Sequence, residues 1–203
     1  MKRGFLLMNT GSPDSPEVKD VKSYLGQFLM DPYVIDLPYP LRAILVYGII
    51  LNTRPKKSAE AYKSIWTDNG SPLIYYCEML TKSLKLSHDE PIELAMAYGN
   101  PSLPNAIDKL IEADVEEICL LPLFPQYAMA TVGSCIGWLK KILNQWNNDT
   151  GDTFPEILTK DWYLREQEKF NESSLLKTEF HGVRGEMPGS SALATKNNNK
   201  GPF

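Results

Sequence analysis

The sequence is short of the residues that usually announce chemistry. It has only two histidines and three cysteines. Cys77, Cys119 and Cys135 are odd in number and form no C-x-x-C pair, so neither a disulfide framework nor a zinc site of ordinary spacing is indicated. Reduced thiols in a cytosol are expected instead. Clustered Lys and Arg are missing, and with a net charge of -4 the chain does not read as a general nucleic-acid binder, which must neutralise phosphates with such clusters. No apolar run reaches the roughly 20 residues needed to cross a bilayer. The most apolar window, PYPLRAILVYGIILN over 38–52, contains Arg42. It is read either as a core helix or as an exposed apolar lip that touches a hydrophobic ligand or a membrane surface. At the start, MKRGFLLMNTGSPD sets a basic pair before an apolar run, but Phe5 to Met8 is too short for a signal-peptide core and is cut by Asn9, Gly11 and Pro13. It reads as a first strand.

What remains is an ordinary globular composition, 43% hydrophobic and 23% charged over 203 residues. Four β-rich runs lie at 4–9, 91–97, 116–123 and 155–160 and lack clean polar alternation, as expected of a parallel sheet covered on both faces. Between them apolar residues recur at helical spacing: Val18, Val21, Leu25, Phe28 and Leu29; Ala106, Ile107, Leu110 and Ile111; Val132, Cys135, Ile136, Leu139, Leu143 and Trp146. Ser15 before Pro16, Ser102 and Thr131 are the expected N-caps. Strand, helix, strand, helix in order predicts a doubly wound, mostly parallel α/β sheet, whose ligands bind beyond the carboxyl ends of the strands. Three more helical segments, 40–52, 54–66 and 73–86, are inserted between the first two strands, a long excursion expected to form one wall of a cleft. Residues 182–203, rich in Gly, Ser, Asn and Pro, are expected to be a disordered tail.

Few motifs carry chemistry by themselves. MNTGSPDSPE places Gly11 and Ser12 in the first strand-to-helix turn, but it has one glycine of a dinucleotide fingerprint. Pro13 removes a donor, and Asp14 and Glu17 would repel a pyrophosphate. GSCIG over 133–137 has the spacing of a nucleophile elbow, with Cys135 as thiolate and His181 as base. Cys135 nevertheless comes about twelve residues after the strand and on the apolar helix stripe, so a buried small hydrophobe is the expected reading. His88 lies in a polar loop. His181, in EFHGV, follows apolar residues as if at the end of a strand, with Gly182 leaving room for a ligand.

Four strings together change the picture. LLMNTGSPDSPEVKDVKSYLGQFLMDPYVIDLP, RPKKSAEAYKSIWTDNGSPL, AYGNPS and LPLFPQYAMATVGS resemble, in order and spacing, the first lobe of bacterial ferrochelatases. The resemblance implies residues 1–160 as a first chelatase-like α/β lobe, 161–181 as the partial start of a second, and a second lobe that is truncated or altered. It further implies a porphyrin cleft and insertion of Fe(II) into a dicarboxylic or tetracarboxylic porphyrin in heme biosynthesis. Fe(II) enters as a substrate and no cofactor is tightly bound. Porphyrin and ferrous iron are the implied partners, with a peripheral membrane contact at the lip and a cytoplasmic location.

By the same resemblance Thr10, Gly11, Ser12, Tyr98, Gln126, Tyr127, Met129, Thr131 and Ser134 are the implied substrate contacts. His181 is the implied catalytic and metal residue, matching the core of the family's histidine motif, with Arg184 where the family usually has proline. No acidic residue can be assigned as its metal-site partner. The rival readings are a non-catalytic porphyrin-binding or vestigial domain, and a cysteine hydrolase built on Cys135.

Overall fold

The computed structural model describes residues 2–150. The expected strand at 155–160, His181, Arg184 and the expected tail at 182–203 lie outside the described residues. Three strands form one sheet: β1 (Arg3–Asn9) is central, flanked by β2 (Ile92–Met96) and β3 (Glu117–Pro122), and both pairings are parallel. Leu7 sits beside Leu94 on one side and Leu121 on the other.

Successive side chains of β1 point to opposite faces, and both faces are covered, which explains the continuous apolar runs. Leu6 and Met8 pack with Ile118 and Leu120 against α6 (Leu103–Glu112) and α7 (Ser134–Thr150), which contribute Ile107, Leu110, Cys135 and Leu139. Leu7 packs with Ile92, Leu94 and Met96 against α5 (Pro72–Ser87), whose Leu73, Ile74, Cys77 and Leu84 close the second face. This is the doubly wound α/β arrangement expected from the sequence.

The excursion between β1 and β2 builds a third core. It runs through α1 (Val18–Leu29), α2 (Tyr39–Ala43), a π-helical stretch (Ile44–Ile50), α3 (Leu51–Thr53) and α4 (Pro55–Ile65). Val21, Tyr24, Leu25 and Leu29 of α1 meet Val46, Leu51, Ala59 and Tyr98. Since Tyr98 lies two residues beyond the end of β2, this core stands on the carboxyl edge of the sheet. Of the two readings offered for 38–52, the exposed lip describes most of the segment. Tyr39, Leu41, Ile44, Tyr47 and Ile49 are all more than half exposed, while Val46 and Leu51 anchor it. Arg42 is buried and donates from one guanidinium nitrogen to the carbonyls of Ile35 (3.1 Å) and Leu37 (2.9 Å), stapling the loop before the lip. Among the described residues no helix is long and apolar enough to cross a membrane.

Two of the three expected caps need correction. α1 starts at Val18 with Glu17 in the cap position, two residues later than a Ser15 cap allows. Ser15 still serves the helix start, because its hydroxyl donates to Asp20 (2.6 Å) and accepts the Glu17 N–H (3.2 Å). Thr131 lies inside a π-helical turn (Met129–Gly133) that Ala128 precedes, and its hydroxyl donates back to the Ala128 carbonyl at 3.2 Å. Ala128, not Thr131, therefore holds the cap position, and Thr131 sits within the turn. Ser102 does occupy the cap position of α6, without a side-chain hydrogen bond.

Candidate functional site: the carboxyl edge of the sheet

The loops leaving β1 and β2 interlock through their glycines. Gly11 has φ +108°, and a Cβ there would lie 1.9 Å from the Tyr98 carbonyl oxygen. Gly99 has φ +82°, and a Cβ there would lie 2.9 Å from the Ser12 carbonyl oxygen. Each turn thus needs glycine both for its left-handed backbone and for the closeness of the other turn. The Tyr98 N–H donates to the Thr10 carbonyl (3.0 Å) and the Ala97 N–H to that of Asn9 (2.8 Å), carrying strand-like pairing past the sheet. Asn100 donates to Asp14 (2.9 Å), and the Gly99 N–H donates to Gln27 on α1 (3.0 Å). MNTGSP and AYGNPS, two strings far apart in sequence, are therefore one structural unit.

Beneath that unit lies a buried carboxylate that sequence reasoning did not select. Asp31, 1% exposed, follows the end of α1. One of its oxygens accepts from the Tyr98 hydroxyl (2.6 Å), the Trp138 indole N–H (2.8 Å) and the Ser134 hydroxyl, and the other accepts the Tyr33 backbone N–H (2.7 Å). Burial pushes its carboxyl up, but the bonds from Ser134, Tyr98, Tyr33 and Trp138 outweigh that and hold it below the usual carboxylate range. Burial first, and then Asp31 itself, raise the Tyr98 hydroxyl far above the ordinary tyrosine range, so Tyr98 stays a neutral donor. The one sequence sign of this group was a lone acid within the apolar context FLMDPYV.

The loop after β3 supplies the rest. Tyr127 and Gln126 are half-buried and Met129 is half exposed. The Tyr127 hydroxyl donates to the Met129 sulfur (3.1 Å), and both lie 3.4 Å from where a Cβ of Gly133 would be. The phenol oxygen and the thioether therefore both lie over Gly133, at the turn that leads into α7. Aromatic rings continue behind it: Tyr98 meets Phe28 edge-on (centroids 5.3 Å apart), Phe28 stacks on Tyr24, and Tyr24 meets Tyr62 edge-on.

The nine expected contact residues therefore divide into two groups. Thr10, Gln126, Tyr127, Met129 and Thr131 retain exposed surface at the ends of β1 and β3. Gly11, Ser12, Tyr98 and Ser134 are buried. The hydroxyls of Tyr98 and Ser134 both donate to Asp31, with their oxygens 2.7 Å apart, whereas the buried Ser12 hydroxyl has no hydrogen-bond partner. Cys135 is fully buried, and burial pushes its thiol up to about 12, which removes the thiolate that a nucleophile elbow requires. The cysteine-hydrolase reading is thereby excluded. Among the described residues no three His, Cys, Asp or Glu side chains gather as a metal site. A cavity of about 770 Å³ opens on the other flank of α1, between Lys22, Gly26 and Met30 and the α7 residues Trp138 and Ile142, and it shares Tyr98 with the expected contacts.

The chain is thus a parallel α/β lobe with glycine-locked loops, aromatic side chains and few polar donors at the carboxyl edge of its sheet, the edge at which open α/β sheets bind ligands. Comparison with known proteins gives the family. The ferrochelatase family model matches residues 2–172. The ferrochelatase of Azotobacter vinelandii (strain DJ) is 52% identical over 139 residues, covering 68% of this chain and 41% of that protein. Those of Pseudomonas syringae pv. syringae and Ectopseudomonas mendocina are each 50% identical, over 140 and 142 residues. The chain belongs to the ferrochelatase family, and it spans about two fifths of the length of the curated relatives it matches.

Proposed function

We propose that this chain supplies the first-lobe wall of a porphyrin cleft used for insertion of Fe(II) into the macrocycle during heme biosynthesis. The observation that carries this reading is the aromatic and thioether surface of Tyr127 and Met129 over Gly133, which follows β3 at the same edge of the sheet as the interlocked turns of Gly11 and Gly99. A porphyrin is a wide apolar plate, and flat, polarisable side chains with a few neutral donors suit its face. Gln126 precedes Tyr127 and Thr10 follows β1, each bringing a neutral polar group to this edge, and Ser12 has a buried hydroxyl without a protein partner.

The chemistry asked of such a wall is modest and specific. Two pyrrole N–H protons must leave as the metal enters, and a planar ring hides the nitrogen lone pairs. A rigid wall that holds the plate bent would supply strain of about 1 to 5 kcal/mol, drawn from binding of the rest of the ring. His181 is proposed as the group that receives protons and meets Fe(II), since imidazole titrates near neutrality and suits this metal. A cytosolic setting is supported by free thiols at all three cysteines. The exposed lip is proposed to meet lipid peripherally, and co-pelleting with phospholipid vesicles, lost in Ile44→Asp, checks it.

The primary test is quenching of a dicarboxylic porphyrin's fluorescence by the purified 203-residue protein, followed by Fe(II) or Zn(II) insertion read from the absorbance of the metalloporphyrin. Saturable quenching that weakens in Tyr127→Ala is expected. Insertion that disappears in His181→Ala is the expected catalytic result, and quenching without insertion would favour a binding domain over an enzyme. Absence of saturable quenching overturns the reading.

A further inference from the structure

Asp31 joins three segments that are remote in sequence. Its carboxylate holds Tyr98 beyond β2, Ser134 and Trp138 on α7, and the backbone of its own loop through Tyr33. Next to it the Tyr33 ring lies against Gly137, where a Cβ would come 2.4 Å from a ring carbon. The peptide N–H groups of Val34 and Ile35 donate to the Asp31 carbonyl (3.1 and 3.0 Å), and the carbonyl of that same Ile35 is one of the two that Arg42 staples. The base of the lip is thus fastened to the first turns of α7, and α7 directly continues the loop of Tyr127 and Met129. A buried carboxylate satisfied by three side-chain donors and one peptide is costly to bury and strongly directional.

We propose that Asp31 is a positioning residue for porphyrin binding, which fixes the spacing between the apolar lip and the Tyr127–Met129 surface through Tyr98, Ser134 and Trp138. It does not touch the porphyrin. This assignment rests on the functional reading above, and the test separates the two.

Hydrogen-bond arithmetic defines the variants. In Asp31→Asn the amide has one oxygen and one NH2, yet fixed N–H donors face both ends of the group, Tyr33 on one side and Trp138 on the other. Either flip sets donor against donor. Replacing the indole as well, in Asp31→Asn with Trp138→Phe, lets the amide oxygen take the Tyr33 N–H while the NH2 donates to the hydroxyls of Ser134 and Tyr98, which can rotate to accept. Porphyrin affinity of the full 203-residue protein is read by fluorescence quenching, with circular dichroism and thermal melting alongside.

Asp31→Asn is expected to weaken binding about tenfold, the size of one lost charge-assisted bond. The double variant is expected to recover most of that loss, and Tyr98→Phe to weaken binding by a smaller factor. Folded Asp31→Asn and Tyr98→Phe proteins that bind within twofold of the parent overturn the assignment, as does a double variant weaker than Asp31→Asn. If the parent protein itself fails to quench, the functional reading falls. Melting then judges the tie alone: a double variant more stable than Asp31→Asn upholds it, and one less stable rejects it.

Discussion

Replacing Gly11 by alanine tests the interlocked turns directly. At φ +108° an L side chain is strained, and the new Cβ would lie 1.9 Å from the Tyr98 carbonyl oxygen and 3.0 Å from its carbon. Both of these are backbone atoms, so no rotamer relieves the overlap and the two loops must part by about 1 Å or more. Parting breaks the Tyr98 N–H bond to Thr10 and loosens the Tyr24 hydroxyl bond to the Gly11 carbonyl (3.2 Å). Two bonds at about 1 kcal/mol each and left-handed strain of about 1 to 2 kcal/mol give a loss of about 3 to 4 kcal/mol. At roughly 2 to 4 °C per kcal/mol for a domain of this size, Tm falls by about 10 °C. Gly70→Ala is the matched control: its φ is +86° but nothing lies within 4 Å of the added Cβ. It carries strain alone, about 1 kcal/mol and about 3 °C. Thermal melts followed by circular dichroism decide, and equal shifts for the two variants would refute contact between the turns as the cause.

Two further outcomes follow from buried groups. At pH 8 an ordinary thiol near 8.5 is about a quarter thiolate, whereas Cys135, fully buried and raised to about 12, is ionised only about once in ten thousand molecules. Iodoacetamide followed by peptide mass spectrometry should therefore modify Cys135 more slowly than Cys119, which is partly exposed although burial raises its thiol too; comparable rates would reopen the nucleophile reading. The second outcome concerns acid. Asp31 is held below its unfolded value of about 3.9, so its contribution to stability is present above that pH and is lost as pH falls through the lower folded value. Melting temperature should fall less steeply between pH 5 and pH 3 in Asp31→Asn than in the parent, and parallel slopes would show that the carboxylate is not held low.

The three described strands were legible because their apolar runs have no polar alternation, and burial on both faces is the reason they lack it. α1, α6 and α7 were legible for a similar physical reason: one apolar stripe of three to four residues per two turns faces one core, the sheet for α6 and α7 and the third core for α1. The segment 38–52 gave two readings because composition cannot say which side of a helix meets a partner. Its π-helical course also hides from a 3.6-residue template, since the buried anchors Val46 and Leu51 stand five apart. The caps at Ser15 and Thr131 were misplaced because hydroxyl residues near a helix start have several local bonds open to them. The site was half legible. Motif strings pointed to Gly11, Tyr98 and Ser134, and although the first string also contains Asp31, its ties to Tyr98 and Ser134, 67 and 103 residues away, are made only through space, which no spacing rule reaches.

That division bears on how the recognisable strings should be used. A position that tolerates little change is not thereby a position that touches a ligand. Gly11 and Gly99 are constrained by each other's backbone, and Tyr98 and Ser134 are constrained by a carboxylate that must keep its donors once it is buried. Tyr127 and Met129 are different: both retain surface at the end of the loop after β3, and the Tyr127 hydroxyl donates to the Met129 sulfur. Substitutions in the first set should lower Tm and porphyrin affinity together, whereas those in the second should lower affinity at nearly constant Tm. The ratio of the two effects, measured residue by residue, therefore separates the scaffold of the cleft wall from its face even though both are written in the same strings.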